Sequence, residues 1–338
     1  MASEVDITGV YTLADLAKMI DPSGGSLLFC AEVLARENPI VKEVPTLEAN
    51  QLVTHVGSRT NALPTVGFRA INAGVAKTAH KETPITEPMA LMEAMSQVDV
   101  ELTKIGPGSP EQVRQRIDEA HIEAMAQKLA YEIFYGNLGT DPLGFNGLAT
   151  RFNSLTTYPN GDSTWYYNVI SNGGSGSDTT SIWLAEWGVN KAHLIYPKGT
   201  KAGIEIEDLG KQLVDDGTSS SKSFTAYVTD FKWRCGIFIQ DERCIQRICN
   251  IKTTGTDNIF NEDKIIEAIN RLPKRGMWPM TRLYVNRTIA TQMWIRLKDK
   301  NNMNFNTIKD AFGNPVLTFG NIPIQVCDAI TNAETAIS

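Results

Sequence analysis

The pattern of apolar and polar positions divides the chain into three parts: a weakly patterned first hundred residues, one long helical run, and a strand-rich remainder. The helical run reads SPEQVRQRIDEAHIEAMAQKLAYEIFYG from Ser109. Ser109 suits an N-cap and Pro110 the first helical position. Gln112 completes a Ser-x-x-Gln capping box, which satisfies two orphan amides reciprocally. No Gly or Pro interrupts Glu111–Tyr135, and Gly136 supplies a stop. The spacing therefore predicts one amphipathic helix over 109–136, roughly 39 Å long. That is about twice the mean globular helix, a beam rather than a core filler.

Before the beam, two short helices are expected, Leu13–Ile20 and Leu27–Arg36, separated by Asp21-Pro22-Ser23-Gly24-Gly25. An extended region, Val44–Ile105, follows. Strand-like pieces stand at Gln51–Arg59 and, after a turn at Asn72–Gly74, between Glu87 and Lys104. Pro64, Pro84 and Pro88 confine such pieces to edge positions. A two-stranded arm buries too little apolar surface to hold its shape alone. It needs a partner, and another copy of the chain can provide one.

After the beam, Asn153–Asp178 reads as loop and turn, with Asn172–Ser177 a flexible tip. Strands are expected at Ser181–Trp187, Ala192–Tyr196, Ser223–Trp233, Gly236–Gln240 and Thr281–Val285, with a polar break at Asp215–Lys222. Asn261–Leu272 reads as an amphipathic helix with Ile265, Ile266 and Ile269 on one side, and Arg287–Lys298 as a second helix. Phe312–Ala329 reads as two short strands joined by Phe319-Gly320-Asn321. The fold class is α+β, with mixed sheets rather than a regular βαβ alternation.

Length and charge narrow the function. The 338 residues suffice for one large domain or two ordinary ones. The net charge of -6 argues against a protein that wraps nucleic acid. The acidic start, MASEVDITGV, carries no signal-peptide pattern, and no run of apolar residues is long enough to span a membrane. The five cysteines, Cys30, Cys235, Cys244, Cys249 and Cys327, match no metal spacing. Cys235, Cys244 and Cys249, set among apolar residues, read as reduced core residues, which implies synthesis in a reducing cytosol.

Candidate chemistry is sparse. His55, His80, His121 and His193 stand far apart in sequence and none has a ligand neighbour at helical or hairpin spacing. H-E-x-x-H, G-x-S-x-G and phosphate-loop motifs are absent. The recurring glycines of Gly136–Gly147 follow a helix rather than a strand, so they do not form a dinucleotide fingerprint. Glu205/Glu207 and Asp215/Asp216 read as solvated acids, and Lys274-Arg275 with Trp278 as a helix-end turn. No catalytic, cofactor-binding or metal residue is expected, no cofactor is implied, and the chain is not expected to be an enzyme.

The order of these parts carries a resemblance. The pieces are Val66-Gly67-Phe68-Arg69-Ala70-Ile71-Asn72, Ile133-Phe134-Tyr135-Gly136 with Pro142-Leu143-Gly144-Phe145, and Ser181-Ile182-Trp183-Leu184. They continue with Leu194-Ile195-Tyr196-Pro197-Lys198-Gly199, Tyr284-Val285-Asn286-Arg287, and Phe312-Gly313-Asn314-Pro315 running to Ile322-Pro323-Ile324. In this order the chain resembles the tailed-phage major capsid proteins of the Hong Kong 97 fold, in particular the epsilon-fifteen-type (gene-product-seven) family of short-tailed phages. The resemblance implies an N-terminal arm over 1–50, an extended E-loop hairpin over 51–105, and a peripheral domain over 106–190 with its spine helix at 109–136. It further implies a mainly axial domain over 191–325, with a return to the peripheral domain, and a C-terminal end over 326–338. It implies a virion shell of pentamers and hexamers around double-stranded DNA, held without sequence-specific contacts. Scaffold, portal and decoration proteins would be partners, and assembly would take place in a bacterial cytoplasm. Some members cross-link a hairpin lysine to an asparagine. Lys77 and Lys81 lie in that region, and no such link is expected here. An encapsulin-like compartment and a hydrolase with a scattered site are the alternatives.

Overall fold

The computed structural model describes residues 36–105, 109–155, 168–215, 223–273, 279–297, 305–309 and 315–337. The helix expected over Leu13–Ile20, that over Leu27–Arg36 apart from Arg36, Cys30, Asp216, and the Lys274-Arg275-Trp278 cluster lie outside them. In chain order the elements begin with α1 (Ile40–Glu43), β1 (Thr46–Glu48), β2 (Thr54–Ala62), β3 (Lys81–Pro88), β4 (Ala90–Asp99), α2 (Val100–Ile105) and the beam, α3 (Pro110–Tyr135). Next come α4 (Leu148–Arg151), β5 (Val169–Ser171), β6 (Thr179–Glu186), β7 (Ala192–Tyr196), β8 (Ile204–Asp215) and β9 (Ser223–Ile239). The chain ends with β10 (Ile245–Lys252), α5 (Glu262–Arg271), β11 (Thr281–Val285), α6 (Arg287–Leu297), β12 (Phe305–Lys309), β13 (Pro315–Phe319) and β14 (Ile322–Val326).

Two compact units are present. Among the described residues, the smaller comprises Leu91–Lys128 and Gly203–Arg234, and the larger Arg36–Ala90, Leu129–Ala202 and the chain from Cys235 onward.

In the larger unit a seven-stranded mixed sheet runs β12-β13-β14-β11-β6-β10-β5. Its interior strands β6 and β10 are buried along nearly their whole length, on both faces. One face carries Ile182, Leu184 and Ile248 against Ile265, Ala268 and Leu272 of α5 and Ile289, Ala290 and Met293 of α6. Both helices are capped by asparagine: Asn261 Oδ1 accepts from the Asp263 amide at 3.0 Å, and Asn286 Oδ1 from the Ile289 amide at 2.9 Å. In the same unit β1 pairs with β7, and β7 with the end of β9. Strands β2 and β3 form a separate two-stranded sheet. The smaller unit pairs β8 antiparallel with β9, from Ile204–Trp233 to Asp215–Ser223. Its core gathers Val98, Leu102, Val113 and Ile117.

The beam forms as its cap dictates. The Ser109 amide donates to Gln112 Oε1 at 3.3 Å, and the Gln112 amide to Ser109 Oγ at 3.4 Å. Its expected amphipathicity fails over the full length. Val113 and Ile117 are buried in the first part, whereas Leu129, Ala130, Ile133 and Phe134 are buried in the last. A row of i, i+4 positions drifts by about 40° per step around a helix. The buried stripe therefore winds round the rod instead of holding one side. Gly136 ends the helix without a left-handed backbone. It is small because a Cβ there would stand 2.4 Å from the Phe145 carbonyl oxygen and 2.7 Å from that of Glu132.

Other expectations are corrected. The strand expected to reach Lys104 ends at Asp99, whose Oδ1 accepts from the Glu101 amide at 2.8 Å and starts α2. Ile266 faces out, and Ala268 with Leu272 takes its place on the buried side of α5. Ser223–Trp233 and Gly236–Gln240 belong to one strand, β9. Asn172–Ser177 is pinned: the Gly174 amide donates to Asn250 O at 2.9 Å, and Asn172 Nδ2 to Asn258 O at 2.7 Å. Strands β8, β10 and β12 are not marked by the sequence pattern, and β5 stands within the expected loop Asn153–Asp178 because it pairs with β10. β8 is exposed along most of its length and shows no alternation. β10 is buried on both faces and shows none either.

Cys235, Cys244, Cys249 and Cys327 are all buried with free thiols. Burial pushes Cys235, Cys244 and Cys327 up to about 12 and Cys249 to about 11.

Candidate assembly interface

The hairpin β2–β3 forms a two-stranded sheet of its own, and its root is held by named side chains. His55, Gly57 and Arg59 alternate along β2 and so share one face. Arg59 donates to the carbonyl oxygens of Gln240, at 2.7 Å, and Ile239, and pairs with Glu242. Beside it Gly57 lies so close to Phe238 that a Cβ would stand 2.4 Å from the ring. His55 sets its ring edge-on to Phe238, with centroids 4.4 Å apart. On the return strand Glu87 accepts both guanidinium nitrogens of Arg151. A planar fork of this kind fixes direction as well as distance. The backbone is tied too, since Asn50 Nδ2 donates to Val56 O at 2.6 Å and the Val56 amide donates back to Asn50 Oδ1 at 3.0 Å.

Past the root the support stops. Residues 62–84 are all exposed. Thr65 and Thr78 bridge the two limbs. The expected turn is present: the Ala73 amide donates to Ala70 O at 3.1 Å, and Asn72 takes φ +68°, where asparagine is tolerated. Leu63, Val66, Phe68, Ile71 and Val75 face outward, Val66 at 91 % and Phe68 fully exposed. Contiguous apolar exposure of this kind marks an interaction surface. The charge is one-sided as well. From Ala49 to Lys81 the chain holds Arg59, Arg69, Lys77 and Lys81 and no acid.

A surface of opposite character lies in the smaller unit. Ile122, Ile206 and Phe231 floor a hollow of about 490 Å³, rimmed by Glu111, Asp118 and Glu119 together with Arg114 and Gln115. Arg114 is committed within the unit: it pairs with Asp208 at 2.7 Å and lies 4.8 Å over the Tyr227 ring. That pairing holds the Asp208 carboxyl below its ordinary range. Asp118 Oδ1 accepts no hydrogen bond.

The residues weighed in sequence fall as follows. Glu205 and Glu207 lie on the exposed β8, Glu205 paired with Arg234 at 2.7 Å, and Asp215 ends that strand. Lys77 is exposed in the tip and Lys81 begins β3. His80 and His121 stand apart, but His55 and His193 meet, their rings 6.1 Å apart. Sequence spacing could not show that pair, because the two belong to strands far apart in the chain. Among the described residues no group of three or more His, Cys, Asp or Glu is placed to hold a metal.

Residues 21–338 match the family described as Major capsid protein GP7. The chain belongs to that family. No curated protein matches it. Among solved structures, the bacteriophage Epsilon15 structure is similar with a TM-score of 0.72 and 25 % identity, covering 100 % of this chain and 99 % of the other. The bacteriophage JBD30 capsid is similar with a TM-score of 0.50 and 14 % identity, covering 92 % and 99 %. A Synechococcus elongatus encapsulin gives 0.46 and 8 %, over 75 % of this chain and 100 % of that one. The fold of this major capsid protein family member is therefore that of the phage capsids, the Hong Kong 97 fold. No helix among the described residues is long and apolar enough to cross a membrane.

Proposed function

We propose that this member of the major capsid protein family builds an icosahedral shell of pentamers and hexamers around packaged double-stranded DNA. The observation that carries the reading is the hairpin: an anchored root bearing an apolar, acid-free tip that is exposed throughout residues 62–84. Repeated through closed symmetry, a tip that covers a neighbour leaves no copy unsatisfied. In this reading residues 1–50 are the arm, 51–105 contain the extended hairpin, and 106–190 with the beam are the peripheral domain. Residues 191–325 are mainly axial. The acid-rimmed hollow of Ile122, Ile206 and Phe231 suits the tip of a second copy, because its floor is apolar and its rim opposes the charge of Arg69 and Lys77.

Assembly in a bacterial cytoplasm, help from a scaffold and attachment to a portal belong to the same reading, as does a structural rather than enzymatic role. Negative-stain microscopy of the expressed chain tests it. Polyhedral shells or capsomer rings are the expected result, and a uniform population of discrete dimers would refute it. Phe68→Asp sharpens the test: the side chain is fully exposed, so the variant should fold but yield few shells.

A further inference from the structure

The geometry points to an acid-sensitive latch at the hairpin root, formed by His55 of β2 and His193 of β7 around Phe238 of β9, and closed only while both imidazoles are neutral. The rings of His55 and His193 lie 6.1 Å apart and nearly perpendicular. Each also packs on Phe238, at 4.4 and 5.5 Å between centroids. With Gly57 letting the Phe238 ring approach the β2 backbone, the four residues make one contact between hairpin and body.

Protonation attacks this contact in three ways. His55 Nδ1 lies 3.3 Å from the Asn50 amide and accepts its proton, a bond that a proton on that nitrogen abolishes. Two imidazolium rings at this spacing repel each other. On the elements packed round the two rings, the described carboxylates already have partners: Glu48 of β1 accepts from the Gly199 amide at 2.7 Å, and Glu82 of β3 lies 3.2 Å from His80 Nε2. On β3, Glu87 is held by both arms of Arg151 from α4. Beyond β9, Glu242 is paired with Arg59 and Asp241 with Arg243. Arg59 and Arg151, the partners in two of those pairs, are themselves cations. His193 directs Nδ1 towards Gly188 O at 3.4 Å, a contact that survives protonation and favours the charged ring, though less than burial disfavours it.

The titration has the matching sign. Burial holds both His55 and His193 below the ordinary imidazole value of 6.5, and for His193 the neighbouring His55 acts in the same direction. A group whose value is depressed on folding contributes stability that is present above the unfolded value. That contribution is lost as the pH falls through the folded one. The latch is therefore closed at neutral pH and opens as the pH falls below the ordinary imidazole value of 6.5. Its consequence for assembly rests on the shell reading; the opening itself does not.

Hydrogen–deuterium exchange on the full chain, with intrinsic rates corrected for pH, tests it at about pH 7.5 and about pH 5. The amides of Val56–Arg59 and Glu82–Thr86 should lose protection by roughly tenfold on acidification, while β6 and β10 hold theirs. In His55→Gln with His193→Gln, that acid-induced loss should vanish, and His121→Gln should respond as the wild type does. Equal loss in the double variant, or no loss in the wild type, would overturn the latch. Because the readout is local, a chain that never forms shells would tell against the shell reading and leave the latch test intact.

Discussion

Arg247 Nη2 and Glu334 Oε2 stand 2.9 Å apart in the interior of the larger unit, with side chains only 4 % and 5 % exposed. The pair binds the last residues of the chain to the middle of the seven-stranded sheet. Glu334 also accepts from the hydroxyls of Ser181 and Tyr135. Arg247 donates to Phe152 O at 2.8 Å and lies 4.9 Å over the Trp183 ring. So dense a network leaves little cost in the intact protein and a large one when a member is lost.

Glu334→Ala should therefore strand a buried guanidinium and destabilise the fold by about 3–5 kcal/mol. Chemical denaturation of the wild type and the variant measures this. A shift within about 0.5 kcal/mol would show the pair to be dispensable.

The first described residues are tied to the same end. The Glu37 amide donates to Asp328 Oδ2 at 2.9 Å, and Asn38 Oδ1 accepts from the Ala329 amide at 3.0 Å. Ile40 is fully buried. Deleting residues 1–35 should leave a folded, soluble chain that no longer closes shells. Extending the deletion through Ile40 should cost a further 2–5 kcal/mol, roughly that of emptying a buried isoleucine site. Normal shell yield from the shorter deletion would contradict a role for the arm in closure.

Gly147→Ala tests the turn that follows the beam. A Cβ there would stand 2.5 Å from Glu132 O and 2.7 Å from the Gly136 nitrogen, both backbone atoms with nowhere to go. Overpacking against fixed backbone should cost about 3 kcal/mol. Gly139→Ala, whose nearest neighbour is the Asn137 side chain at 3.1 Å, should be far milder, and thermal melts of the two rank them.

Ala124 lies exposed in the middle of the beam, so a proline there acts through the backbone alone. Ala124→Pro should kink the helix at a cost of about 3 kcal/mol or more. Wild-type melting would refute the beam.

The four buried cysteines give a pH prediction. With thiols pushed up to about 11 or 12, the reactive thiolate is scarce below those values. Cys235, Cys244, Cys249 and Cys327 should resist a thiol reagent at about pH 8 in the native protein and react fully in denaturant, read by mass spectrometry.

What the sequence determined by itself was local and punctuated. The capping box at Ser109 and Gln112, the run without breakers to Tyr135, and the strand Thr281–Val285 are fixed by neighbours a few residues away, and these stand where expected. The resemblance carried by the order of the motifs reached the family as well. Elements lacking a period could not be read: β8 is exposed on both sides and β10 buried on both, so neither alternates. The winding stripe of the beam needed knowledge of what each end meets. Only the tertiary structure brought His55 to His193, Arg247 to Glu334 and Arg59 to the carbonyls at the end of β9, because those pairings are set by strand order and register across long stretches of chain. The same holds for the hairpin. Its sequence marked an arm too thin to stand alone, and the fold decided which residues clamp its root and which apolar side chains, Phe68 foremost, are left facing outward.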